Sequence, residues 1–512
     1  MKSHVPTETN ADIVLVTLNA RYIHASLGLR YLRANLGPWR DKSVLLERLA
    51  TDAPSDIAEA ILAFKPRLVG FGVYIWNVET TLAVIKILRA VAPDVTLVLG
   101  GPEVSYESDS QDIVALADVT VTGEGETVFR QIVEQYLGTA QTSLTGVVSG
   151  GLPDLSTLAL PYDELTDEDL AHRYVYVEAS RGCPFRCEFC LSSLDQRVRP
   201  FPLDNVMAAL DSLMARGASH FRFVDRTFNL DVKTGRALLS FFRERQSEND
   251  LFLHFEMVPD RFPEGLRDAI QWFPAGVIQF EVGIQTFDAG TSRRISRPLK
   301  VHKVEENLRW LREETEVHLH TDLIVGLPGE DLESFGRGFD QLIALRPHEI
   351  QVGILKRLRG TPVVRHTDDY GLVFSSSPPY EVLQTRDITF SEMQRLKRFA
   401  RAWDLVSNRG QFPTSRDLVL GDAPFTRFLT FSDWLGEQVG AIYKVALPRL
   451  AELIMRWLVL TGTPEALARE HIITDYSRGG TRRVPGSLSG ISPAKRRRHK
   501  ALNARQRRHQ GV

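Results

Sequence analysis

Short apolar runs alternate with amphipathic stretches along two long parts of this 512-residue chain. In the first part the apolar runs predict strands at residues 13–18, 44–49, 68–75, 95–99 and 119–121. The stretches between them predict helices at residues 27–36, 57–64 and 81–91. Strands that alternate with helices form a parallel sheet covered on both faces, and such sheets bind ligands at the carboxyl ends of their strands. We therefore predict a doubly wound α/β domain over residues 1–145.

A second series of the same kind follows residues 146–173, where scattered Gly, Pro, Ser and Asp predict a linker. Its strands are predicted at residues 174–179, 221–228, 251–258, 277–284, 317–325 and 349–355. Its helices are predicted at residues 204–216, 233–245, 264–272, 303–312 and 332–345. Six such repeats are typical of a partial or full parallel barrel, here assigned to residues 174–375, with active residues at the C-terminal strand ends.

The remainder of the chain consists of two segments that differ in composition. Residues 376–476 have helical patterning and many aromatic side chains, which we interpret as core. Residues 477–512 are rich in Gly, Ser, Pro and Arg, a composition that predicts disorder. From Arg478 onward there are 11 Lys and Arg and no Asp or Glu, which leaves 51 basic and 64 acidic residues before it. The acidic body argues against a nucleic acid held by phosphate contacts on the main surface. The basic tail is either a solvated run, the commoner case, or a weak nucleic-acid contact.

Nothing in the sequence predicts export or a membrane partner. The start of the chain is polar, and the apolar run at residues 13–18 is too short for a secretory signal. No window reaches the ~18 uninterrupted apolar residues of a membrane span. A cytoplasmic protein is therefore expected.

All three cysteines, Cys183, Cys187 and Cys190, fall within eight residues directly after the first strand of the second series. The cysteines of this C-x3-C-x2-C motif are too close together to stabilise a fold through disulfide bonds. In a cytosolic chain this spacing indicates metal or redox chemistry. Iron–sulfur clusters are usually held by four thiolates, so three would leave one iron open to chelate an amino-acid ligand. The alternatives are three unrelated buried thiols, or structural zinc on three Cys and one His. Zinc would need a second C-x2-C or H-x3-H knuckle, which the sequence lacks.

The segment Arg181-Gly-Cys183-Pro-Phe-Arg-Cys187-Glu-Phe-Cys190 closely resembles the signature of the radical S-adenosylmethionine (SAM) superfamily, and the resemblance covers about residues 174–361. It implies a [4Fe–4S] cluster on the three cysteines, reductive cleavage of SAM to a 5′-deoxyadenosyl radical, and a one-electron reductant such as flavodoxin or ferredoxin. The implied SAM contacts are Phe189, near the adenine, and the strand-end residues Asp225, Glu281, Gly283, Gln285 and Gly326. The glycines could also be ordinary turn residues, and the acidic residues could be ion-pair partners.

Loops that follow the N-terminal strands resemble those of cobalamin-binding domains in B12-dependent radical SAM proteins. Glycines there let the backbone approach a large flat macrocycle closely. The implied cobalamin contacts are Asn19, Tyr74, Trp76, Asn77, Gly100, Gly101, Pro102, Glu103, Gly123, Glu124, Gly125 and Glu126. The loop after the first strand lacks the D-x-H-x-x-G motif, and His24 has the wrong spacing, so ligation of cobalt by histidine is not expected. The alternative is a nucleotide-binding-like domain kept only for packing.

Together these resemblances predict an α/β protein with three parts. An N-terminal Rossmann-like cobalamin-binding domain precedes a central partial (β/α)6 TIM-like radical SAM barrel, and a helical C-terminal region carries the basic tail. The implied function is cobalamin-dependent methyl transfer to an unactivated carbon. The alternatives are a cobalamin-dependent radical cyclase or rearrangement enzyme, or a non-catalytic cobalamin or metal sensor. Methylthiotransferase is disfavoured because that family needs further cluster cysteines in its N-terminal domain, and none exist here.

Overall fold

The structure, a computed structural model, describes residues 10–138, 144–246, 250–440, 442 and 445–478. The predicted disordered tail therefore lies, beyond Arg478, outside the described residues. The chain forms two compact units. Unit 1 comprises the chain up to Asp225 with Lys356–Pro362 and Ser375–Glu381, and unit 2 comprises Arg226–Leu355, Val363–Phe374 and the chain from Val382 onward. Over the described ranges, no helix is both long enough and apolar enough to cross a membrane.

Over the described residues, the N-terminal part of unit 1 contains six parallel strands and five α-helices. The strands are β1 (Ile13–Asn19), β2 (Ser43–Leu49), β3 (Leu68–Gly72), β4 (Thr96–Gly100), β5 (Val119–Thr122) and β6 (Gly146–Ser149). The helices are α1 (Leu27–Ala34), α2 (Pro54–Leu62), α3 (Val78–Val91), α4 (Asp112–Ala115) and α5 (Glu126–Leu137). The strand order is β2-β1-β3-β4-β5-β6, so the order reverses between β1 and β3.

Two apolar cores cover the two faces of this sheet. All seven residues of β1 are buried, as expected for a strand of a parallel sheet with helices on both sides. Because side chains alternate along a strand, Ile13 and Leu15 belong to one core, which includes Phe129 of α5. Val14 and Val16 belong to the other core, which includes residues of α2 and α3. The doubly wound prediction is confirmed.

The stretch predicted as a linker, residues 146–173, contains two regular elements. Strand β6 pairs with β5 from Gly146 opposite Val119 to Ser149 opposite Thr122. Helix α6 (Asp167–His172) begins at Thr166, whose side chain forms a capping box with Asp169. Sequence analysis missed β6 because it has only four residues, three of them exposed, and so shows no burial pattern.

The second series begins in unit 1. There β7 (Val175–Val177) and β10 (His220–Phe223) pair in parallel. Between them lie β8 (Ser180–Arg181), its antiparallel partner β9 (Arg199–Pro200), and α7 (Leu203–Ala215). The three cysteines lie in the loop between β8 and β9, so this hairpin fixes the two ends of the cysteine loop. Strand β10 ends at Phe223, well before the predicted residue 228.

Unit 2 continues the series with four parallel strands in the order β14-β13-β12-β11. They are β11 (Phe252–Met257), β12 (Ile278–Gln285), β13 (His318–Val325) and β14 (Glu349–Ile354). The helices are α8 (Val232–Arg245), α9 (Glu264–Gln271), α10 (Ala289–Arg294), α11 (Val301–Glu314) and α12 (Leu332–Ala344), followed by the hairpin β15 (Val373–Phe374) and β16 (Val382–Gln384). One face of these strands is apolar, with Phe255, Phe280 and Leu319 fully buried. The opposite face is polar, because Glu256, Glu281 and His320 lie in register across it.

The C-terminal region of unit 2 is helical, as predicted. It contains α13 (Phe390–Trp403), a π-helical turn (Asp404–Asn408), α14 (Pro413–Leu420), α15 (Pro424–Val439), α16 (Leu447–Leu460) and α17 (Glu465–Ser477). Phe399, Trp403 and Phe428 are at most 1% exposed. Phe428 meets both other rings edge to face, with centroid distances of 5.3 and 5.0 Å. The aromatic side chains therefore form a core, which confirms that interpretation.

Two short segments late in the chain belong to unit 1. Arg359 Nε and the Tyr380 hydroxyl both donate hydrogen bonds to Glu103 Oε1, at 2.8 and 2.7 Å. Arg357 Nη2 donates to both carboxylate oxygens of Glu107 at 3.0 Å. Glu103 is only 4% exposed, so these contacts compensate a buried charge.

Candidate active site

A cavity of about 240 Å³ opens at the carboxyl ends of β3, β4 and β5 in unit 1. This is the end of a parallel sheet where ligands are expected. Seven of its 18 lining residues are glycines, and the backbone packs closely at one of them, Gly101. Gly101 has φ +109°, and a Cβ atom there would lie 2.5 Å from the carbonyl oxygen of Val73. Seven of the residues predicted to contact cobalamin line this cavity: Tyr74, Gly100, Gly101, Gly123, Glu124, Gly125 and Glu126.

The other five predicted cobalamin residues, Asn19, Trp76, Asn77, Pro102 and Glu103, are not among the described residues that line the cavity. Asn77 accepts a hydrogen bond from the Tyr74 backbone at 2.8 Å and donates to Leu18 and Gly72 carbonyls at 3.1 Å. Trp76 stacks on Tyr74 with centroids 4.5 Å apart. Asn77 and Trp76 therefore shape the loop after β3, while Glu103 anchors Arg359 and Tyr380.

His24 lies away from this cavity. Its Nδ1 is 2.6 Å from the Tyr176 hydroxyl, and its ring packs between Tyr174 and Tyr176 at centroid distances of 5.9 and 6.1 Å. Burial and the charges of Arg222 and Arg21 lower the pKa of His24. Among the described residues, no histidine lines the cavity. The expectation that cobalt has no histidine ligand in this domain stays a prediction.

Arg181 is a cavity residue that sequence analysis left unassigned. Its guanidinium pairs with Glu124, Glu126 and Glu178 at 2.7, 2.8 and 2.9 Å, and it lies over the Tyr31 ring at 4.7 Å. Burial alone would lower the pKa of Arg181, but Glu178 and Glu126 raise it. The available signal was its position, directly before Gly182 and Cys183. Arg181 therefore joins the cavity to the start of the cysteine loop.

The cysteine loop is tightly constrained. Gly182 has φ +90°, and a Cβ atom there would lie 2.0 Å from the Arg197 carbonyl oxygen, so this position requires glycine. The Cys183 backbone donates to the Asp195 carbonyl at 2.9 Å, and the Cys190 backbone donates to the Cys187 carbonyl at 3.1 Å. Cys183 and Cys187 are buried, whereas Cys190 and the predicted adenine neighbour Phe189 are half-buried.

The three thiols are a donor set that fits an iron–sulfur cluster. In a cubane cluster each thiolate binds a different iron, so three cysteines on one loop can serve as its ligands. Over the described ranges, no group of three His, Cys, Asp or Glu side chains is arranged to hold a single metal ion.

Asp225, predicted to contact SAM, holds the base of the cysteine hairpin. Its Oδ2 accepts from the Ala179 backbone at 2.9 Å, and its Oδ1 accepts from the Ser180 hydroxyl at 2.6 Å. Burial raises the pKa of Asp225, and these hydrogen bonds oppose the rise. The geometry therefore gives Asp225 a positioning role, in a turn that follows β10.

The remaining predicted SAM residues lie in unit 2. Glu281 pairs with His254 at 3.2 Å. Burial alone would raise the pKa of Glu281, but His254 and His320 lower it. The pKa of Asp322 is raised well above its usual range by burial and by Glu281 and Glu256. Glu256 lies directly opposite Glu281 on the neighbouring strand.

The strand-end glycines have packing roles. Gly326 has φ +84°, and a Cβ atom there would lie 2.5 Å from Val382 and 3.0 Å from Met393. A Cβ on Gly283 would lie 2.4 Å from the side chain of Gln285, where β12 bulges and φ is +71°. Both glycines let neighbouring side chains approach the end of a strand. This packing role agrees with the alternative interpretation, in which they are ordinary turn residues.

Comparison with known proteins separates the chain into three parts. Residues 13–133 match the B12 binding domain family, and residues 177–342 match the Radical SAM superfamily. The chain therefore carries a B12-binding domain followed by a radical SAM domain. Residues 368–510 match a third family, described as a protein of unknown function (DUF4080).

Several relatives of this radical SAM protein are methyltransferases by name. It is 29% identical to the uncharacterized methyltransferase PH0819 of Pyrococcus horikoshii, over 40% of this chain and 50% of that protein. It is 23% identical to the cobalamin-dependent radical SAM methyltransferase TokK of Streptomyces tokunonensis, over 59% of this chain and 48% of that protein. This chain thus spans about half the length of these relatives.

A solved structure shares the fold. It is the radical S-adenosylmethionine methyltransferase TsrM from Kitasatospora setae, with cobalamin and a [4Fe-4S] cluster bound. The TM-score is 0.54 at 18% identity, over 69% of this chain and 77% of that chain. The fold class predicted from sequence is confirmed.

Glu330, in the loop after β13, makes the stability of this radical SAM protein depend on pH. It is 2% exposed, accepts from the Thr286 hydroxyl at 2.5 Å, and has no partner for Oε2 among the described residues. Burial raises its pKa from the ordinary 4.5 to about 8, although the hydrogen bond from Thr286 acts to lower it. The native state therefore binds more protons than the unfolded state between these pH values, and stability falls as pH rises through that window.

We expect Glu330→Gln to match the wild type at pH 5 and to be more stable at pH 9. The wild type should lose roughly 1 kcal/mol per pH unit across the window as Glu330 ionises. Thermal unfolding from pH 5 to 9 measures the difference. Glu333→Gln, at an exposed position on α12, is the control and should follow the wild type. Parallel curves for wild type and Glu330→Gln would contradict the assignment.

Proposed function

We propose that this protein is a cobalamin-dependent radical SAM methyltransferase acting on an unactivated carbon. The matches to both domain families and the names of the relatives support this proposal. Cys183, Cys187 and Cys190 would hold the [4Fe–4S] cluster, and the open iron would take SAM. When bound, the cluster supplies an electron that cleaves SAM to a 5′-deoxyadenosyl radical, and cobalamin supplies a transferable methyl group.

The observation that carries the proposal is the position of Arg181. It belongs to the hairpin that bears the cysteines, and it lines the cavity at the carboxyl ends of β3 to β5. Through its ion pairs with Glu124, Glu126 and Glu178, Arg181 holds the cysteine hairpin and the cavity together within unit 1. A protein that transfers a methyl group by this chemistry needs its two cofactor sites adjacent, and Arg181 connects them.

In this proposal the chain binds, orients and excludes water. Glycines 100, 101, 123 and 125 bring backbone close to cobalamin, and Tyr74 closes one side. Phe189, Glu281, Gly283, Gln285 and Gly326 remain the proposed SAM neighbours, while Asp225 positions the cysteine loop. The reductant would be a small one-electron carrier such as flavodoxin or ferredoxin.

Reconstituted protein is expected to bind cobalamin without a nitrogen ligand on the lower face. His24 is held by Tyr176 and does not line the cavity. Electron paramagnetic resonance of the cob(II)alamin form should therefore lack nitrogen superhyperfine splitting. His24→Ala should give the same spectrum. Clear splitting that disappears in His24→Ala would show that this histidine ligates cobalt.

The proposed function is tested by anaerobic purification, quantification of iron, sulfide and cobalamin, and a SAM-cleavage assay. Bound cobalamin together with reductive cleavage of SAM would support it. Cleavage without cobalamin binding would remove the methyl-transfer proposal. Cobalamin binding without cleavage, in a protein with intact cluster absorbance, would favour a sensor.

A further inference from the structure

A second cavity, of about 540 Å³, lies in unit 2 at the amino-terminal end of β14. It is lined by residues of α11, α12, α14 and the π-helical turn that follows α13. This cavity begins at His348, before β14, and none of the proposed SAM residues is among the described residues that line it. Its volume lies within the range of about 300–1,000 Å³ typical of small-molecule sites.

The charged residues that line this cavity are mainly basic. Arg312, Arg346 and Arg416 face it, and Asp417 is the acidic residue among them. Asp417 pairs with the neighbouring Arg416 at 2.8 Å. Arg312 and Arg346 therefore carry positive charge that no carboxylate of the lining offsets. Burial and Arg346 lower the pKa of Arg312, and Glu316 opposes them.

The cavity also has more hydrogen-bond donors than acceptors. The Leu319 backbone donates to His348 Nδ1 at 2.9 Å, while Arg312 Nη1 lies 2.6 Å from His348 Nε2. A neutral imidazole offers one acceptor nitrogen, so these two donors compete for it. Arg312 Nε has no acceptor among the described residues. The buried indole N–H of Trp403, another lining residue, also has none within the described ranges.

Buried donors without acceptors are costly, and an acceptor-rich anion would satisfy them. The planar guanidinium fork suits the paired oxygens of a phosphate or carboxylate group. The Trp403 ring and several prolines provide apolar wall for the rest of a ligand. We propose that this cavity binds a small anionic ligand whose phosphate or carboxylate group contacts Arg312 and Arg346.

Calorimetric titration of the full-length protein tests the proposal, with inorganic phosphate and citrate as probes and sodium chloride holding ionic strength constant. At least one probe should bind saturably. Arg312→Gln should weaken binding about tenfold or more, and Arg312→Lys should fall between, because lysine keeps the charge but loses the fork. Arg337→Gln, on an exposed part of α12, is the matched control and should bind as the wild type does.

The two probes distinguish the ligand classes. Tighter phosphate binding indicates a phosphate ester, and tighter citrate binding indicates a carboxylate. If Arg312→Gln does not fold, Arg346→Gln decides, since Arg346 is exposed and its loss removes no core contact. The proposal is overturned if neither probe binds saturably, or if binding is unchanged in the folded arginine variants.

Discussion

Replacing any one of Cys183, Cys187 and Cys190 with alanine is expected to abolish the cluster and, with it, the cleavage of SAM. The chain contains three cysteines in all, so no other thiol can take the place of a lost ligand. The loop is also held rigidly by Gly182 and Asp195, which prevents it from rearranging around two ligands. Cluster absorbance, iron and sulfide content and the release of 5′-deoxyadenosine measure the effect.

A matched control for the cysteine variants lies in the same loop. Arg186 is exposed and hydrogen-bonds to Gln196, so Arg186→Ala should leave cluster and cleavage intact. Loss of the cluster in this variant would show that the loop is simply sensitive to change. A cysteine variant that kept a full [4Fe–4S] signal and turnover would disprove the assigned ligands.

Arg181→Met is expected to destabilise unit 1 by about 3–5 kcal/mol, because removing one partner of a buried ion pair leaves uncompensated charge. Glu126 and Glu178 are nearly fully buried, and Arg181 is the cation that contacts both. Burial already raises the pKa of Glu178, so the penalty should shrink as falling pH protonates it. Hydrogen exchange of peptides from β1 to β5 in increasing urea reports this loss locally.

The control for Arg181→Met is Arg130→Met on α5. Arg130 pairs with Glu134 at 2.8 Å on the surface, where both side chains are more than one-third exposed. Exposed pairs of this kind contribute about 0–1 kcal/mol, so little change is expected. Cobalamin binding should weaken in Arg181→Met and stay unchanged in Arg130→Met. Equal stability of the two variants would show that Arg181 contributes no more to stability than an exposed ion pair does.

The strands were predictable because burial on both faces leaves near-continuous apolar runs. Strand β1 was located to within one residue for this reason. The prediction for β3 continued to residue 75, but the strand ends at Gly72. The Asn77 side chain accepts from the Tyr74 backbone and donates to the Leu18 carbonyl of β1. This turn depends on a neighbouring strand, and a single sequence gives no sign of it. The domain boundaries assigned from sequence remain predictions.

Site residues were predictable where a local motif carries the chemistry. The cysteine spacing and the glycine loops were visible in the sequence, and seven of the predicted cobalamin residues share one cavity. The role of Arg181 was not visible, since its partner Glu124 lies 57 residues earlier. The packing role of Gly326 likewise depends on Val382, a residue of a later strand. Contacts made across such distances follow from the fold, which local patterns do not encode.

The anchoring of Glu103 has a consequence for synthesis of the chain on the ribosome. Arg359 follows Glu103 by 256 residues and Tyr380 follows it by 277. At about 5–20 residues per second, Glu103 is added to the chain roughly 13 to 50 seconds before Arg359. During that interval the Glu103 carboxylate has neither of these donors, so water must hydrate it in their place. The N-terminal domain is therefore synthesised first, but it gains its contacts to Glu103 only after Arg359 and Tyr380 have been made.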